Sequence, residues 1–211
     1  MRTETITKTY KTFSELTDKQ KEWAISQHFD WNVGLDHEWW EFTYDSFKEL
    51  CKLLGIEVDL SKTYFSGFSH QGQGSSFAGD VELWDLVDAV RREAWKEEFP
   101  TLDLSFPALP TVKHEAWLRD VSTPSVSCCS GRGYNGECSL STDAHTDYEP
   151  DRIAAQIEKL TEWGESVLQE LNDHLFTSLE KEFEYLTSDE AIAESLEANE
   201  MEFDVDALPE D

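Results

Sequence analysis

Three cysteines and two histidines form the one group of side chains in this sequence whose types suit a metal or a thiol reaction. Cys128 and Cys129 are adjacent, Cys138 follows, and His114 and His145 are the imidazoles nearest to them. A structural zinc takes about four thiolate or imidazole ligands in a tetrahedron. The spacing here matches no familiar zinc knuckle, so free thiols are the expectation and a structural metal the alternative. Cys129 with His145 is the one nucleophile–base pair to consider, and nothing in their separation brings them together. Asp143, His145, Asp147 and Glu149 could gather a hard cation, but a chain this acidic produces such runs by composition alone. Gly72-x-Gly74-x-x-Phe77 has a bulky ring where a dinucleotide loop needs a third small residue, and a strand pattern follows it where that loop needs a helix. The expectation is therefore no catalytic residue, no cofactor, no metal and no enzyme activity.

Charge is the stronger signal. Lys and Arg number 17 against 45 Asp and Glu, a formal charge of -28 over 211 residues. Such a chain repels nucleic acid and anionic lipid surfaces and attracts basic proteins. The acid is concentrated at one end: residues 182–211 hold twelve carboxylate side chains and no Lys or Arg. Eight Trp, twelve Phe and six Tyr argue against a disordered chain, since each supplies a large unit of buried surface. No apolar run approaches the roughly 20 residues of a membrane span, and the first residues lack the apolar core of a signal peptide, so a cytoplasmic location is expected.

The elements that must position these groups follow from periodicity. Arg2–Tyr10 alternates as a strand, and Thr17-x-x-Gln20 is a capping box opening a helix to about His28. Asp36 can cap a helix carrying Trp40, Phe47, Leu50 and Leu54, which Gly55 ends. Ile56–Leu60 reads as a strand entering a hairpin of Tyr64–Phe68 and Ser75–Val81, expected at the centre of the sheet, with Gly67 and Gly79 marking close approach. Asp80 is the expected cap of a third helix, carrying Leu83, Val87, Val90 and Ala94 and stopped by Pro100. A Pro-containing connector leads to a strand at Val112–Leu118, then to a hairpin of Val121–Ser127 and Tyr134–Ser141. Asp151–Leu186 has one long apolar stripe that could pack on the main domain or pair with another copy, and Thr187-x-x-Glu190 looks like a fresh capping box.

The series Thr9-Tyr10…Phe13-x-Glu15-Leu16, Trp39-Trp40-x-x-x-Tyr44, Leu53-Leu54-Gly55-Ile56-Glu57 and Tyr64-Phe65-Ser66-Gly67-Phe68-x-x-Gln71-Gly72-x-Gly74-x-Ser76-Phe77 resembles a family of phage and prophage proteins, some of them labelled antitoxin-like. The resemblance covers roughly Arg2–His145 and implies origin more than activity. After Gly131 the chain departs from it, with Gly131-Arg-Gly-Tyr-Asn-Gly-Glu-Cys138 where the family has an aromatic, His-containing strand.

The fold expected is α+β, a small twisted antiparallel sheet covered by aromatic-rich helices (residues 1–148) and followed by a long acidic C-terminal helical extension (residues 149–211). The function expected is that of a phage or prophage protein that binds and inhibits a basic or nucleic-acid-binding host or defence protein, in part by DNA mimicry. Glu190, Glu194, Glu197, Glu200 and Glu202 are the candidate contact residues, with His70, Gln71 and Gln73 at the tip of the hairpin as a second contact loop. Helix positions three or four apart set carboxylates about 5–6 Å from one another, a spacing that can stand in for phosphates. Two alternatives are kept: an antitoxin or regulatory partner gripping one protein or its own copy through the long apolar helix, and an enzyme supported by the Cys and His set.

Overall fold

Helices dominate and the strands are short and antiparallel, so the chain is α+β with a long C-terminal helix. A computed structural model describes residues 7–34, 38–68, 73–121, 125–130, 138–142 and 150–210. In chain order the elements are β1 (Tyr10–Thr12), α1 (Asp18–Gln27), α2 (Glu41–Leu53), β2 (Ile56–Val58), β3 (Tyr64–Phe65), β4 (Ser75–Ser76), β5 (Ala78–Glu82), α3 (Leu83–Arg91), α4 (Glu115–Val121), β6 (Ser125–Ser130), β7 (Cys138–Thr142), α5 (Pro150–Leu186), α6 (Asp189–Ala198) and β8 (Glu202–Asp204). The chain divides into two units, residues 1–40 with 181–211, and residues 41–180. The division expected from composition lay at 148/149.

In the first unit Thr17 and Gln20 close the expected capping box, and Gln20 Oε1 accepts the Thr17 backbone N–H at 3.2 Å. The acidic C-terminal segment is half of this unit's core. β8 pairs antiparallel with β1, setting Tyr10 opposite Asp204 and Thr12 opposite Glu202. Phe13, Leu16 and Ala24 from the N-terminal side bury against Ile192, Leu196 and Phe203. Of the strand expected at Arg2–Tyr10, residues 1–6 lie outside the described residues, residues 7–9 are not in a strand, and Tyr10 opens β1, which pairs with β8 over Tyr10–Thr12. The second capping box is shifted by one residue. Ser188 caps α6 by accepting the Ala191 N–H, while the Thr187 hydroxyl donates back to the Phe183 carbonyl at 2.8 Å.

In the second unit β2, β5, β6 and β7 form a four-stranded antiparallel sheet in that order. The hairpin of β3 and β4 exists but is a separate two-stranded piece, not the centre. Phe77 ends it by turning into the core at 1% exposure, edge-on to Phe47 with ring centroids 5.0 Å apart. The chain then crosses to become β5, between β2 and β6. Gly79 permits this, since a Cβ there would stand 2.4 Å from the Glu57 carbonyl oxygen. Asp80 is consequently no helix cap: it lies in β5 opposite Glu57 on one side and Ser127 on the other, and α3 starts only after Glu82. That helix also stops well before Pro100, where Glu93 enters the left-handed region at φ 53° and the Ala94 N–H bonds the Ala89 carbonyl.

The strand expected at Val112–Leu118 is absent: Val112–His114 have no strand or helix, and from Glu115 on the segment is α4. Its alternation coincided with one turn of helix, in which Leu118 is fully buried, its N–H reaches the His114 carbonyl at 2.9 Å, and Glu115 pairs with Arg119 four residues on. The later hairpin is present as β6 and β7, with Ser130 opposite Cys138. α5 runs unbroken through Gly164 and Asn172 for 37 residues, about 55 Å at 1.5 Å per residue. Its stripe of Ile153, Ile157, Leu160, Val167, Leu171, Leu175 and Leu179 is buried within the single chain. No helix among the described residues is long and apolar enough to cross a membrane.

Candidate functional site

α6 is an amphipathic helix whose two faces do different things. Ala191, Ile192 and Leu196 turn inward, and Glu190, Glu194 and Glu197 stay exposed. Asp189 and Glu190 in the first turn suit the positive end of the helix dipole, but no basic residue occupies the last turn, where Glu194 and Glu197 carry negative charge toward the negative end. Like charges four apart, as at Glu190 and Glu194, repel by a few tenths of a kcal/mol. At the end of the helix Glu200 adopts φ 48°, a left-handed conformation that normally favours glycine. The Met201 N–H closes back on the Leu196 carbonyl at 3.0 Å, and the chain enters β8 with Glu202 exposed and Phe203 buried.

The five glutamates thus lie on one helix, the turn after it and the first residue of the following strand. Among the described residues none of the five forms an ion pair. Their neighbour Asp204 does: Lys8 Nζ approaches its carboxylate at 2.5 Å, which together with the Asp206 backbone N–H holds the Asp204 carboxyl below its ordinary range. Lys19 of the same unit donates to the Glu210 carbonyl oxygen.

Of the hairpin tip, Gln73 is exposed and belongs to the second unit, and His70 and Gln71 lie outside the described residues. Cys128 and Cys129 fall on β6 and Cys138 opens β7; His145, Asp143, Asp147 and Glu149, like Asp36, lie outside the described residues. His114 sits in the turn before α4 at φ 57°.

A model for a domain of unknown function, DUF8835, matches residues 39–189, the greater part of the chain. The chain belongs to the DUF8835 family. No curated protein and no solved structure matches it. The DUF8835 span takes in α2 through α5 and ends one residue before Glu190, so the five glutamates stand outside what the family match covers.

Sequence reading missed one polar cluster inside the DUF8835 span. Asp88, Arg91, Glu115 and Arg119 join α3 to α4, with Arg91 bidentate on Glu115 at 2.7 and 2.9 Å. Hydrogen bonds from Arg91 and Arg119 hold the Glu115 carboxyl down at about 2. The signal was available as Asp88 with Arg91 and Glu115 with Arg119 at helical spacing, but a strand assignment over Val112–Leu118 hid the second pair.

Proposed function

We propose that this protein is a non-enzymatic, acidic binding protein of phage or prophage origin that occupies the basic surface of a nucleic-acid-binding or defence protein. One observation carries the reading: Glu190, Glu194, Glu197, Glu200 and Glu202 are exposed and have no counter-ion among the described residues, and Glu194 and Glu197 sit toward the end of α6 where the helix dipole disfavours negative charge, with Glu194 also repelled by Glu190 one turn before it. Local rules broken at the surface without a structural gain mark positions kept for contact. Carboxylates on successive turns of α6 present negative charge at about 5–6 Å intervals, and a groove lined with Lys and Arg that accepts DNA accepts them by the same electrostatics.

The alternative grip through the apolar stripe of α5 has less support, because that stripe is buried inside the chain. The test is competition. A partner captured from host lysate should be displaced by duplex DNA, and its binding should weaken steeply as salt rises, since screening acts over about 8 Å at physiological ionic strength. Replacing Glu190, Glu194, Glu197 and Glu200 by Gln should lower binding while the fold survives. The control is Gln at Glu97, Glu98, Glu158 and Glu162, which are equally exposed in the other unit. Equal binding by both variants, or simultaneous binding of DNA and protein, would overturn the reading.

A further inference from the structure

Residues 101–113 form a strap with no secondary structure up to its last turn, laid over two buried tryptophans. Leu102, Leu104 and Phe106 are half-buried and alternate with exposed Thr101, Asp103, Ser105 and Pro107, so the strap lies extended with one side down. Beneath it Trp95 and Trp163 are 3% and 5% exposed. Phe106 packs edge-on to Trp95 with ring centroids 4.8 Å apart, and the next residue, Pro107, gives its carbonyl to the Trp163 indole N–H at 2.9 Å. Adjacent residues therefore engage both rings. Pro100, Pro107 and Pro110 pre-set an extended backbone, and an indole N–H donating to the carbonyl of an extended proline-containing segment is how aromatic grooves hold such peptides.

The fit is incomplete. Among the described residues Trp95 Nε1 is buried without an acceptor, which leaves a desolvated donor that the strap does not satisfy. No residue of the strap is itself buried, and its other hydrogen bonds to the described residues lie at its two ends: the Lys113 N–H donates to Gln156 Oε1 at 2.8 Å and the Leu102 N–H to the Phe99 carbonyl at 3.0 Å. A competing segment that places a carbonyl opposite Trp95 gains a bond the strap lacks, and this is the differential affinity that displacement requires. Charge points the same way, because the strap sets Asp103 on a chain whose formal charge is -28.

We infer that the strap is a built-in pseudo-ligand, and that the groove floored by Trp95 and Trp163 receives an extended, proline-containing, basic segment of a partner protein in its place. This groove lies within the DUF8835 span and is independent of the acidic face of α6.

The probe is a synthetic peptide of residues 101–113 added to the full-length chain, read by the indole N–H resonances of the tryptophans. With Phe106→Ala weakening the strap, the peptide should bind at least tenfold more tightly than to the unaltered chain and shift both indole signals. A peptide with Lys in place of Asp103 should bind more tightly again. Because Phe106→Ala could perturb folding, trypsin cleavage after Lys113 in the unaltered chain is the second measurement, expected to run much faster than global unfolding. Absence of peptide binding to both chains, equal binding to both, cleavage only at the rate of global unfolding, or indole shifts that grow with protein concentration through strap exchange between copies would each overturn the inference.

Discussion

Arg119 grips Asp88 with both terminal guanidinium nitrogens, at 2.8 and 2.7 Å, while its guanidinium carbon stands 4.7 Å from the centre of the Trp84 ring. The same guanidinium reaches Glu115 of its own helix at 2.8 Å, so one side chain clamps α4 to α3 through the Asp88 carboxylate and the Trp84 face while Glu115 steadies it from within α4. A lysine has neither the fork nor the plane for this arrangement. Arg119→Lys should cost about 1 kcal/mol in urea melts, the usual scale for partly exposed pairs. An unchanged midpoint would show that Leu118 alone docks α4.

Acid should loosen the same clamp. Asp88 and Glu115 both have carboxyls held below their ordinary range by the Arg91 and Arg119 guanidinium groups, Glu115 at about 2 where a free glutamate lies at 4.5. Groups depressed in the folded state contribute stability that is full above the unfolded value and lost as pH falls through the folded one. The contribution of α4 docking should therefore fade between about pH 4.5 and pH 2, and amide exchange in residues 115–121 should rise in that window. Asp88→Asn should flatten the response.

Phe77→Ala should destabilise the second unit by about 3–5 kcal/mol, because the ring is 1% exposed and stacked edge-on against Phe47. Phe65, half-buried and stacked on Phe68, should cost less when truncated. A Phe65→Ala loss equal to that of Phe77→Ala in chemical melts would contradict the burial described.

Deleting residues 187–211 should unfold the first unit. The deletion removes Ile192, Leu196 and Phe203 from Phe13, Leu16 and Ala24, and takes β8 from β1. Loss of protection at amides in α1, measured by hydrogen exchange, is the expected outcome. Unchanged protection there would mean that the acidic segment is a solubilising extension after all.

Glu200→Gly should stabilise the first unit by about 0.5–1 kcal/mol, since glycine adopts φ 48° without the strain a Cβ imposes. Glu200→Gln removes the same charge and keeps the strain, so it should recover only a few tenths of a kcal/mol. Equal gains in thermal melts would assign the effect to charge and not to backbone.

What the sequence determined by itself was whatever acts within a turn or two of chain. The Thr17–Gln20 capping box, the helix ended by Gly55, the close approach at Gly79 and the stripe of α5 were all legible, because caps, glycine freedom and helical periodicity are settled by neighbours three or four residues away. The exposed placement of Glu190, Glu194 and Glu197 opposite Ile192 and Leu196 was legible for the same reason. Tertiary structure decided the rest. Asp80 satisfies the local rule for a helix cap, yet ladder partners on both sides hold it in β5. Val112–Leu118 satisfies the alternation of a strand, yet the partners of Glu115 and Arg119 on α3 hold the chain from Glu115 on as a helix. The pairing of Tyr10 with Asp204 joins the two ends of the chain. Alternation in one segment cannot name its partner across such a separation, because the choice is made by which apolar surfaces bury together, as Phe13 and Phe203 do here.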